Sequence, residues 1–357
     1  TDKMIGRFSA LVASTTLVDP VFSFLVPRTL NFTSSPSRHA PATILKPQLP
    51  PLCRNTRRSQ SSKLKTRTSR LHSSSFSAEV ALESIADSLK TGQIHRVLVV
   101  AGAGVSCSAG IPDFRTPGSG LYDNLHKFNL PYPEAIFDVD FYIQDPKPFV
   151  TLAKEIWPGV KYRPTLTHCF FKLLEEKGLL KRVYTQNIDG LEAVAGVNPD
   201  KLVECHGHFR SASCIACRTR YDANLCKTSM LEKGEAPSCN NCGGLIKPDI
   251  VFFGEVMPNR FSQLVHDDVA STDLIIVMGT SLLVAPVANV PDWVPNSCPR
   301  LLINREIVGS FRHNKSDDVI LEGDCDEGVR KLCRLAGWEA ELDQMFSDSH
   351  TSATNQI

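Results

Sequence analysis

Acidic residues are nearly missing from the first 78 residues of the chain. Asp2 and Asp19 oppose twelve Lys and Arg there, so this segment carries a net charge of +10. It is rich in Ser, Thr and Pro and shows no sustained period of 3.6 or 2, so no packed fold is predicted for it. Acid-poor, Arg- and Ser-rich N-termini are typical of organelle transit peptides, and we expect a targeting segment at residues 1–78. An ordinary disordered tail is the alternative.

Long apolar runs are also missing. The apolar patch at residues 18–26 is interrupted by Asp19 and Pro20 and is too short to span a bilayer. Residues 79–357 carry 27 basic and 36 acidic side chains, a net charge of −9, which disfavours contact with a phosphate backbone. We therefore expect neither membrane insertion nor direct binding of nucleic acid.

Short β-branched runs alternate with helical patterns along the rest of the chain. At residues 79–90 apolar residues recur at helical spacing, and Gly92 ends this helix. Several of the runs are apolar at successive positions, as expected of strands that helices cover on both faces. The predicted strands are RVLVVAGAG (96–104), LLKRVYTQN (179–187), LVECHG (202–207), DLIIVMGTS (273–281) and PRLLINRE (299–306). This order predicts an α/β fold with a doubly wound parallel sheet.

Each predicted strand ends in small or polar residues: GAG, TQNID, HGH, GTS and INRE. Open α/β sheets bind ligands outside the carboxyl ends of their strands, so the five segments point to one crevice. In GAGVSCSAG, Gly102 and Gly104 let the backbone approach a phosphate, although a tight turn without a ligand has the same composition. The segment IPDFRTPGSGLY holds Asp113, Phe114 and Arg115. It predicts a mobile loop that closes over a ligand, with a plain surface loop as the alternative.

Four of the twelve cysteines form two C-x2-C pairs, with 21 residues between the pairs. Each pair lies in a turn of small residues, so four thiolates can hold one ion in a closed, structural zinc site. Four unrelated thiols are the alternative. The predicted ligands are Cys214, Cys217, Cys239 and Cys242. The zinc does not need Cys205, His206 or His208, so a histidine at a ligand-facing strand end remains available for chemistry.

Seven segments together resemble the sirtuin family of NAD-dependent protein-lysine deacylases: GAGVS, IPDFR, YTQNIDGLE, HGH before the two CxxC pairs, KPDIVFFGE, GTSLLVAP and INRE. The resemblance covers nearly all of residues 79–340 in the family's order. It implies a catalytic domain at residues 79–343, made of a large Rossmann-like domain and a small domain of zinc ribbon plus helical module. The zinc ribbon is expected at about residues 209–246, and residues 344–357 are expected to be a flexible tail.

The resemblance also implies the site residues. His206 matches the family's general base, and Asn187 and Asp189 are implied in catalysis. The residues implied to contact NAD are Gly102, Ala103, Gly104, Val105, Ser106, Cys107, Asp113, Phe114, Arg115, Tyr122, Gln186, Asn187, Ile188, Asp189, Gly279, Thr280, Ser281, Asn304, Arg305, Glu306 and Cys325. An acetylated protein substrate is implied to pair, as an added strand, with Val251, Phe252, Phe253 and Gly254.

The implied activity is NAD-dependent deacetylation of protein lysines, with transfer of the acetyl group to ADP-ribose and release of nicotinamide. Protein ADP-ribosylation at the same site is one alternative. A zinc-ribbon adaptor without catalysis is another, but it leaves the five polar strand ends unexplained. The run LPYPEAIFDVDFY resembles the mitochondrial and cytosolic branch of the family. With the cationic N-terminus, we expect the mitochondrial matrix, and the cytoplasm or nucleus is the alternative.

Overall fold

The structure, a computed structural model, describes residues 79–113, 118, 120–121, 125, 128, 130–158, 162–313 and 318–351. These residues all belong to one compact unit of the chain. The predicted targeting segment at residues 1–78 lies outside the described residues, so its prediction stays open. Across the described ranges, no helix is both long enough and apolar enough to cross a membrane.

A parallel sheet of six strands forms the large domain. The strands are β1 (Val97–Ala101), β2 (Leu180–Thr185), β3 (Leu202–Glu204), β7 (Leu274–Met278), β8 (Arg300–Asn304) and β9 (Asp318–Glu322). Their order is β3-β2-β1-β7-β8-β9, and every neighbouring pair is parallel. After β1, the chain first adds β2 and β3 on one side of β1 and later adds β7, β8 and β9 on its other side. Such a reversal opens a crevice at the carboxyl ends of the strands.

Helices cover both faces of this sheet because its central strands are apolar at every position. In β1, Val97, Val99 and Ala101 belong to one core, and Leu98 and Val100 belong to a second core on the opposite face. The first core is covered by α1 (79–90), α4 (Leu166–Glu176), α9 (Cys325–Ala336) and α10 (Glu339–Thr351). The second is covered by α7 (Asn259–Ala270) and α8 (Val290–Trp293). The predicted doubly wound α/β fold is therefore confirmed.

A three-stranded antiparallel sheet forms the small domain. Its strands are β4 (Gly207–Cys214), β5 (Arg220–Tyr221) and β6 (Ile246–Ile250), in the order β5-β4-β6. The helices beside it are α2 (Val139–Gln144), α3 (Lys147–Ile156) and α6 (Ala223–Thr228), which continues as the π-helical turn Ser229–Lys233. Tyr142, Phe149 and Phe252 lie at the centre of a third core here. The small domain has the architecture predicted for the zinc ribbon and helical module.

The remaining short helices connect these layers. Helix α5 (Leu191–Val194) follows the end of β2. Turns of 3₁₀ helix occur at Ala103–Ala109, Pro133–Phe137, Pro199–Lys201, Val287–Asn289 and Gly309–His313. The first of these follows β1 directly, so the glycine loop leads into a tight 3₁₀ turn.

The C-terminal part differs from the sequence-based expectation. The prediction of a flexible tail from residue 344 is wrong for residues 344–351, because α10 continues to Thr351. Leu342 is fully buried, and Met345 and Phe346 pack against the first core. The helix lies against α4 and α9. Its apolar contacts hold a segment whose composition is mostly polar, and residues 352–357 lie outside the described part.

Candidate active site at the strand ends

The glycine loop joins the end of β1 to the 3₁₀ helix Ala103–Ala109. The Gly104 N–H donates to the Gly279 carbonyl at 2.8 Å. A Cβ on Gly104 would lie 2.6 Å from the Gly279 Cα, and a Cβ on Gly102 would lie 2.7 Å from the Thr280 Cβ. The close approach of two strand ends therefore requires both glycines before any ligand is considered. This packing brings the predicted residues of β1 and β7 together.

Three polar side chains beside the loop form one hydrogen-bonded group, which we call the Asn187 group: Asn187, Ser106 and Asp189. Asn187 Nδ2 donates to the Gly102 carbonyl and to the Ser106 hydroxyl, both at 3.2 Å. The Ser106 hydroxyl donates to Asp189 Oδ2 at 2.7 Å, and Asp189 Oδ1 accepts the Leu191 N–H at 2.9 Å. Asn187 and Ser106 are buried, whereas Asp189 is partly exposed. The polar groups are thus held in place without a ligand.

His206 lies between β3 of the large sheet and β4 of the small one. Its Nδ1 is 2.9 Å from the Gln186 carbonyl oxygen. A carbonyl can only accept, so Nδ1 carries the ring proton and Nε2 carries the lone pair. Burial lowers the pKa of His206, against the raising effect of the hydrogen bond to Gln186. The ring is therefore neutral near pH 7, with Nε2 as a base.

Other predicted NAD contacts lie at the ends of β2, β7 and β8. Gln186 Nε2 donates to the Thr280 hydroxyl at 3.0 Å, which connects the ends of β2 and β7. Asn304 Nδ2 donates to the Glu306 carbonyl at 2.8 Å and shapes the turn after β8. The side chain of Arg305 is exposed at this end of the sheet. These residues gather at the same edge as the Asn187 group.

Two predicted contacts are cysteines whose pKa is raised. Burial raises the pKa of Cys325 to about 12 and also raises that of Cys107. The Cys325 thiol donates to the Ile303 carbonyl at 3.6 Å, so it is a core residue at the start of α9. Any contact of Cys325 with a ligand has to come from its backbone.

The remaining predicted NAD contacts differ in their surroundings. Ile188 packs against the third core, while Ser281 is exposed after β7. The Asp113 carbonyl accepts the Leu121 N–H at 2.7 Å and so joins two ends of the predicted mobile loop. Three of the predicted contacts lie outside the described residues, and their roles stay predictions: Phe114, Arg115 and Tyr122.

The predicted substrate strand continues from β6 and consists of Val251, Phe252, Phe253 and Gly254. The Phe253 N–H donates to the Phe137 carbonyl at 2.7 Å, and the Phe253 carbonyl accepts the Val139 N–H at 3.1 Å. At Phe253 one edge of the segment is therefore already paired. Phe252 is buried in the third core, its N–H donates to the Glu255 carboxylate and its carbonyl accepts the Glu255 N–H, whereas Phe253 is 40% exposed.

The four predicted zinc ligands converge in the small domain. The sulfurs of Cys214 and Cys242 are 3.5 Å apart, those of Cys217 and Cys239 are 3.7 Å apart, and all four lie within 4.8 Å of one another. A tetrahedral zinc ion with Zn–S bonds of about 2.3 Å places its sulfurs about 3.8 Å apart, whereas disulfide sulfurs are about 2.05 Å apart. A Cβ on Gly244 would lie 3.0 Å from the Ala216 Cβ and 3.1 Å from Cys214 Sγ, so a larger residue would crowd the sulfurs. The site fits one structural zinc ion.

Comparison with known proteins gives the family. The model of the Sir2 family matches residues 102–286. NAD-dependent protein deacetylase hst2 of Schizosaccharomyces pombe is 48% identical over 276 residues, which cover 77% of this chain and 82% of the relative. The chain belongs to the Sir2 family. NAD-dependent protein deacetylase sirtuin-3 of Mus musculus is 49% identical to this sirtuin over 264 residues, covering 73% and 78% of the two chains. NAD-dependent protein deacetylase sirtuin-2 of Danio rerio is 45% identical over 290 residues, which cover 76% of this chain and 76% of the relative.

In this sirtuin, a buried acid that the sequence pattern did not single out connects the zinc ribbon to the substrate strand. The Glu255 carboxylate lies 2.7 Å from Lys247 Nζ and 3.3 Å from Arg218 Nη1, and it accepts the Phe252 N–H at 2.9 Å. Arg218 directly follows the zinc ligand Cys217. The available signal was KPDIVFFGE, in which Lys247 and Asp249 precede an apolar run and Glu255 follows it, because charges beside a buried run are costly unless they are paired.

Proposed function

We propose that this sirtuin is an NAD-dependent protein-lysine deacetylase that consumes NAD, releases nicotinamide and transfers the acetyl group to ADP-ribose. The observation that carries the proposal is the His206 ring: its Nδ1 is tied to a carbonyl, which leaves Nε2 as a base at the junction of the two domains. The relatives named NAD-dependent protein deacetylases support the same activity.

NAD is expected to bind across the carboxyl ends of β1, β2, β7 and β8. The amides of the glycine loop suit a pyrophosphate, because N–H groups at the start of a helical turn donate to anions. The amide and hydroxyl groups of Asn187, Ser106, Gln186 and Thr280 suit the hydroxyls of a ribose. This set of donors and acceptors fits a dinucleotide that lies along the sheet edge.

Nicotinamide release builds positive charge on the ribose as the acetyl oxygen of the substrate attacks its first carbon. The Asp189 carboxylate and the Asn187 amide are already oriented by hydrogen bonds, so they can stabilise this charge without reorganising. His206 Nε2 then takes a proton from a ribose hydroxyl, and the oxygen of that hydroxyl attacks the former carbonyl carbon of the acetyl group. Water completes the hydrolysis and leaves free lysine and O-acetyl-ADP-ribose.

The substrate strand and the base are held in a fixed relation to each other. The Val251 N–H donates to the carbonyl of His206 at 2.8 Å. An acetylated protein segment that pairs with the strand Val251, Phe252, Phe253 and Gly254 would therefore carry its acetyl-lysine past His206. This contact supports the placement of the acetyl-lysine channel beside the proposed base.

We also propose that residues 1–78 direct the protein to the mitochondrial matrix. The membrane potential draws cations inward at about 2.3 kcal/mol per charge per 100 mV, and this segment carries +10. Residues 4–78 fused to a fluorescent reporter should bring it into mitochondria. A reporter that stays in the cytosol or enters the nucleus would contradict this and favour the alternative location.

One assay tests the catalytic proposal against its alternatives. Nicotinamide and O-acetyl-ADP-ribose are measured with NAD and matched peptides that contain acetyl-lysine or free lysine. The proposal predicts equal amounts of both products, and only with the acetylated peptide. An ADP-ribosyltransferase would label protein with ADP-ribose without deacetylating the peptide, and an adaptor would release no nicotinamide. Either result would contradict the proposal.

A further inference from the structure

Asp189 has two buried titratable neighbours that the proposed mechanism does not use: His168 on α4 and Glu192 on α5. A ring nitrogen of His168 and a carboxyl oxygen from each acid lie within 4.8 Å of one another. We call these three residues the Asp189 cluster. His168 is fully buried and Glu192 is 1% exposed. Within the described ranges, His168 Nε2 and Glu192 Oε1 are buried atoms without a hydrogen-bond partner, which calls for an explanation.

The backbone at the start of α4 fixes the tautomer of His168. Its Nδ1 accepts the Thr165 N–H at 3.1 Å, as part of the capping box of the helix, and lies 2.7 Å from the Thr165 hydroxyl, which can donate to it as well. A ring nitrogen that accepts carries no proton, so the neutral ring carries its proton on Nε2. Burial lowers the pKa of His168, although Asp189 opposes this effect, and the ring is therefore neutral. Its Nε2–H needs an acceptor, and the two acids of the cluster are the neighbouring candidates.

Glu192 is the acid of the cluster that keeps a proton at neutral pH. Asp189 already accepts two hydrogen bonds, from Ser106 and Leu191. The Glu192 carboxyl accepts hydrogen bonds from the Thr185 side chain and from its own backbone N–H, while its Oε1 has no partner. Burial, and then the charge of Asp189, raise the pKa of Glu192 to about 8.

The charged groups around the cluster favour the same protonation state. Glu204, at the end of β3, also raises the pKa of Glu192, although its own charge is paired with Arg210. The neighbouring Cys205 is neutral because burial raises the pKa of its thiol. Asp326, on α9, faces the histidine of the cluster and adds a further negative charge. These surroundings are neutral or negative, so a neutral Glu192 is the favoured form.

A metal ion is the other group that can satisfy a histidine and two acids, but the geometry disfavours it. Coordination through His168 Nδ1 would displace the Thr165 N–H. Coordination through Nε2 would move the ring proton to Nδ1, which faces the Thr165 N–H at 3.1 Å, and the Thr165 hydroxyl, 2.7 Å from Nδ1, would then have to accept that proton. Protonation satisfies the cluster without these changes.

We propose that Glu192 and His168 are positioning residues: small side-chain rotations within the 4.8 Å cluster let the protonated carboxyl of Glu192 and the Nε2–H of His168 donate to the Asp189 carboxylate and hold it in the orientation that accepts the Ser106 hydroxyl. Through Ser106 they also orient the Asn187 amide. The catalytic consequence rests on the proposed function, because it requires Asp189 and Asn187 to act on NAD. The proton on Glu192 does not depend on that function. Above about pH 8, Glu192 ionises, adds a second negative charge beside Asp189 and weakens the use of NAD.

A spectroscopic measurement tests the proton without relying on activity. Infrared spectra of the full chain and of Glu192→Gln are compared at pH 6.5 and at higher pH. The wild type should show the carbonyl band of a protonated carboxyl that Glu192→Gln lacks, and this band should disappear as the pH passes about 8. A Glu192 that is already ionised at pH 6.5 would overturn the inference, even if the protein is a deacetylase.

Kinetics test the positioning role. The wild-type kcat/KM for NAD should fall on the alkaline side with a midpoint near pH 8, and Glu192→Gln, which keeps a neutral donor, should lack this fall. Glu192→Ala, which has no donor, should lower kcat/KM for NAD about tenfold at pH 7, the usual worth of one buried hydrogen bond, and leave the KM for peptide unchanged.

Glu204→Gln is the matched control, because it removes a charge that faces the cluster but no donor to Asp189. It should keep the alkaline fall. If Glu192→Gln also keeps that fall, or if Glu192→Ala uses NAD as well as the wild type, the positioning role is wrong.

Discussion

Lys247 Nζ lies 2.7 Å from the Glu255 carboxylate, and the two side chains are only 5% and 6% exposed. The same carboxylate accepts the backbone N–H of Phe252 in the substrate strand and pairs with Arg218 beside a zinc ligand. Breaking a buried ion pair leaves one charge without compensation, which costs about 3–5 kcal/mol. The pair therefore connects the stability of the zinc ribbon with the position of the substrate strand.

Replacing Glu255 with Gln should lower the melting temperature and raise the KM for an acetylated peptide about tenfold, a change of about 1.4 kcal/mol. The KM for NAD should change less than about twofold, because Glu255 contacts the substrate strand and not the glycine loop. Glu341→Gln is the control, since its pair with Lys177 lies at the surface. Equal rises in both KM values would contradict the prediction.

The zinc site predicts a joint loss of metal and stability. Cys239→Ser removes one of four converging sulfurs, so zinc content and melting temperature should fall together. Metal analysis and thermal unfolding measure the two effects. Cys298→Ser changes a buried thiol outside the four ligands and should keep about one zinc ion per chain. A Cys239→Ser protein that retains its zinc would show that the four sulfurs are not the ligands.

Helix α10 should contribute to the stability of the large domain. Leu342→Ala deletes a fully buried side chain and should lower the free energy of unfolding by about 2–5 kcal/mol. Gln344→Ala, at the surface of the same helix, should change it by less than about 0.5 kcal/mol. Urea unfolding compares the two. A Leu342→Ala protein as stable as the wild type would mean that α10 contributes little to the stability of the large domain.

The buried Glu192 predicts how stability depends on pH. Its pKa is raised from 4.5 to about 8, so the folded protein holds a proton that the unfolded chain has lost between these values. The stabilisation of the folded state by this proton is therefore complete below about pH 4.5 and is lost as the pH rises to about 8. The free energy of unfolding falls by roughly 3–5 kcal/mol over this range. Across this pH range, the free energy of unfolding of Glu192→Gln should rise relative to that of the wild type. A difference between the two free energies that does not change with pH would contradict the raised pKa of Glu192.

The strand ends and the zinc ligands could be predicted because each follows from local pattern. Central strands such as β7 are apolar at every position, and the polar residues after them stand out. The C-x2-C spacing fixes two sulfurs in each turn, which leaves little freedom for another arrangement. These local signals pointed to the strand ends that hold the Asn187 group and to all four zinc ligands, and the family resemblance singled out His206.

Other features depend on contacts between distant segments and leave weak local signals. The edge strand β9 is only partly buried and lacks a continuous apolar run, and α10 buries Leu342 within a mostly polar sequence. The ion pair of Lys247 and Glu255 and the cluster behind Asp189 require the folded backbone, because burial changes ordinary charged residues into costly ones that must be paired or protonated. Pattern alone does not reveal this.

The activity of His206→Ala against that of His208→Ala tests the central claim most directly, with kcat/KM for acetylated peptide measured across pH. The account predicts that His206→Ala loses roughly 10²–10⁴-fold and keeps its fold and NAD binding, while His208→Ala loses far less. Because burial lowers the pKa of His206, the acid side of the wild-type profile should fall at a lower pH than an ordinary imidazole would give. Equal losses in the two variants, or a His206→Ala enzyme that still releases nicotinamide and deacetylates at the wild-type rate, would contradict the account.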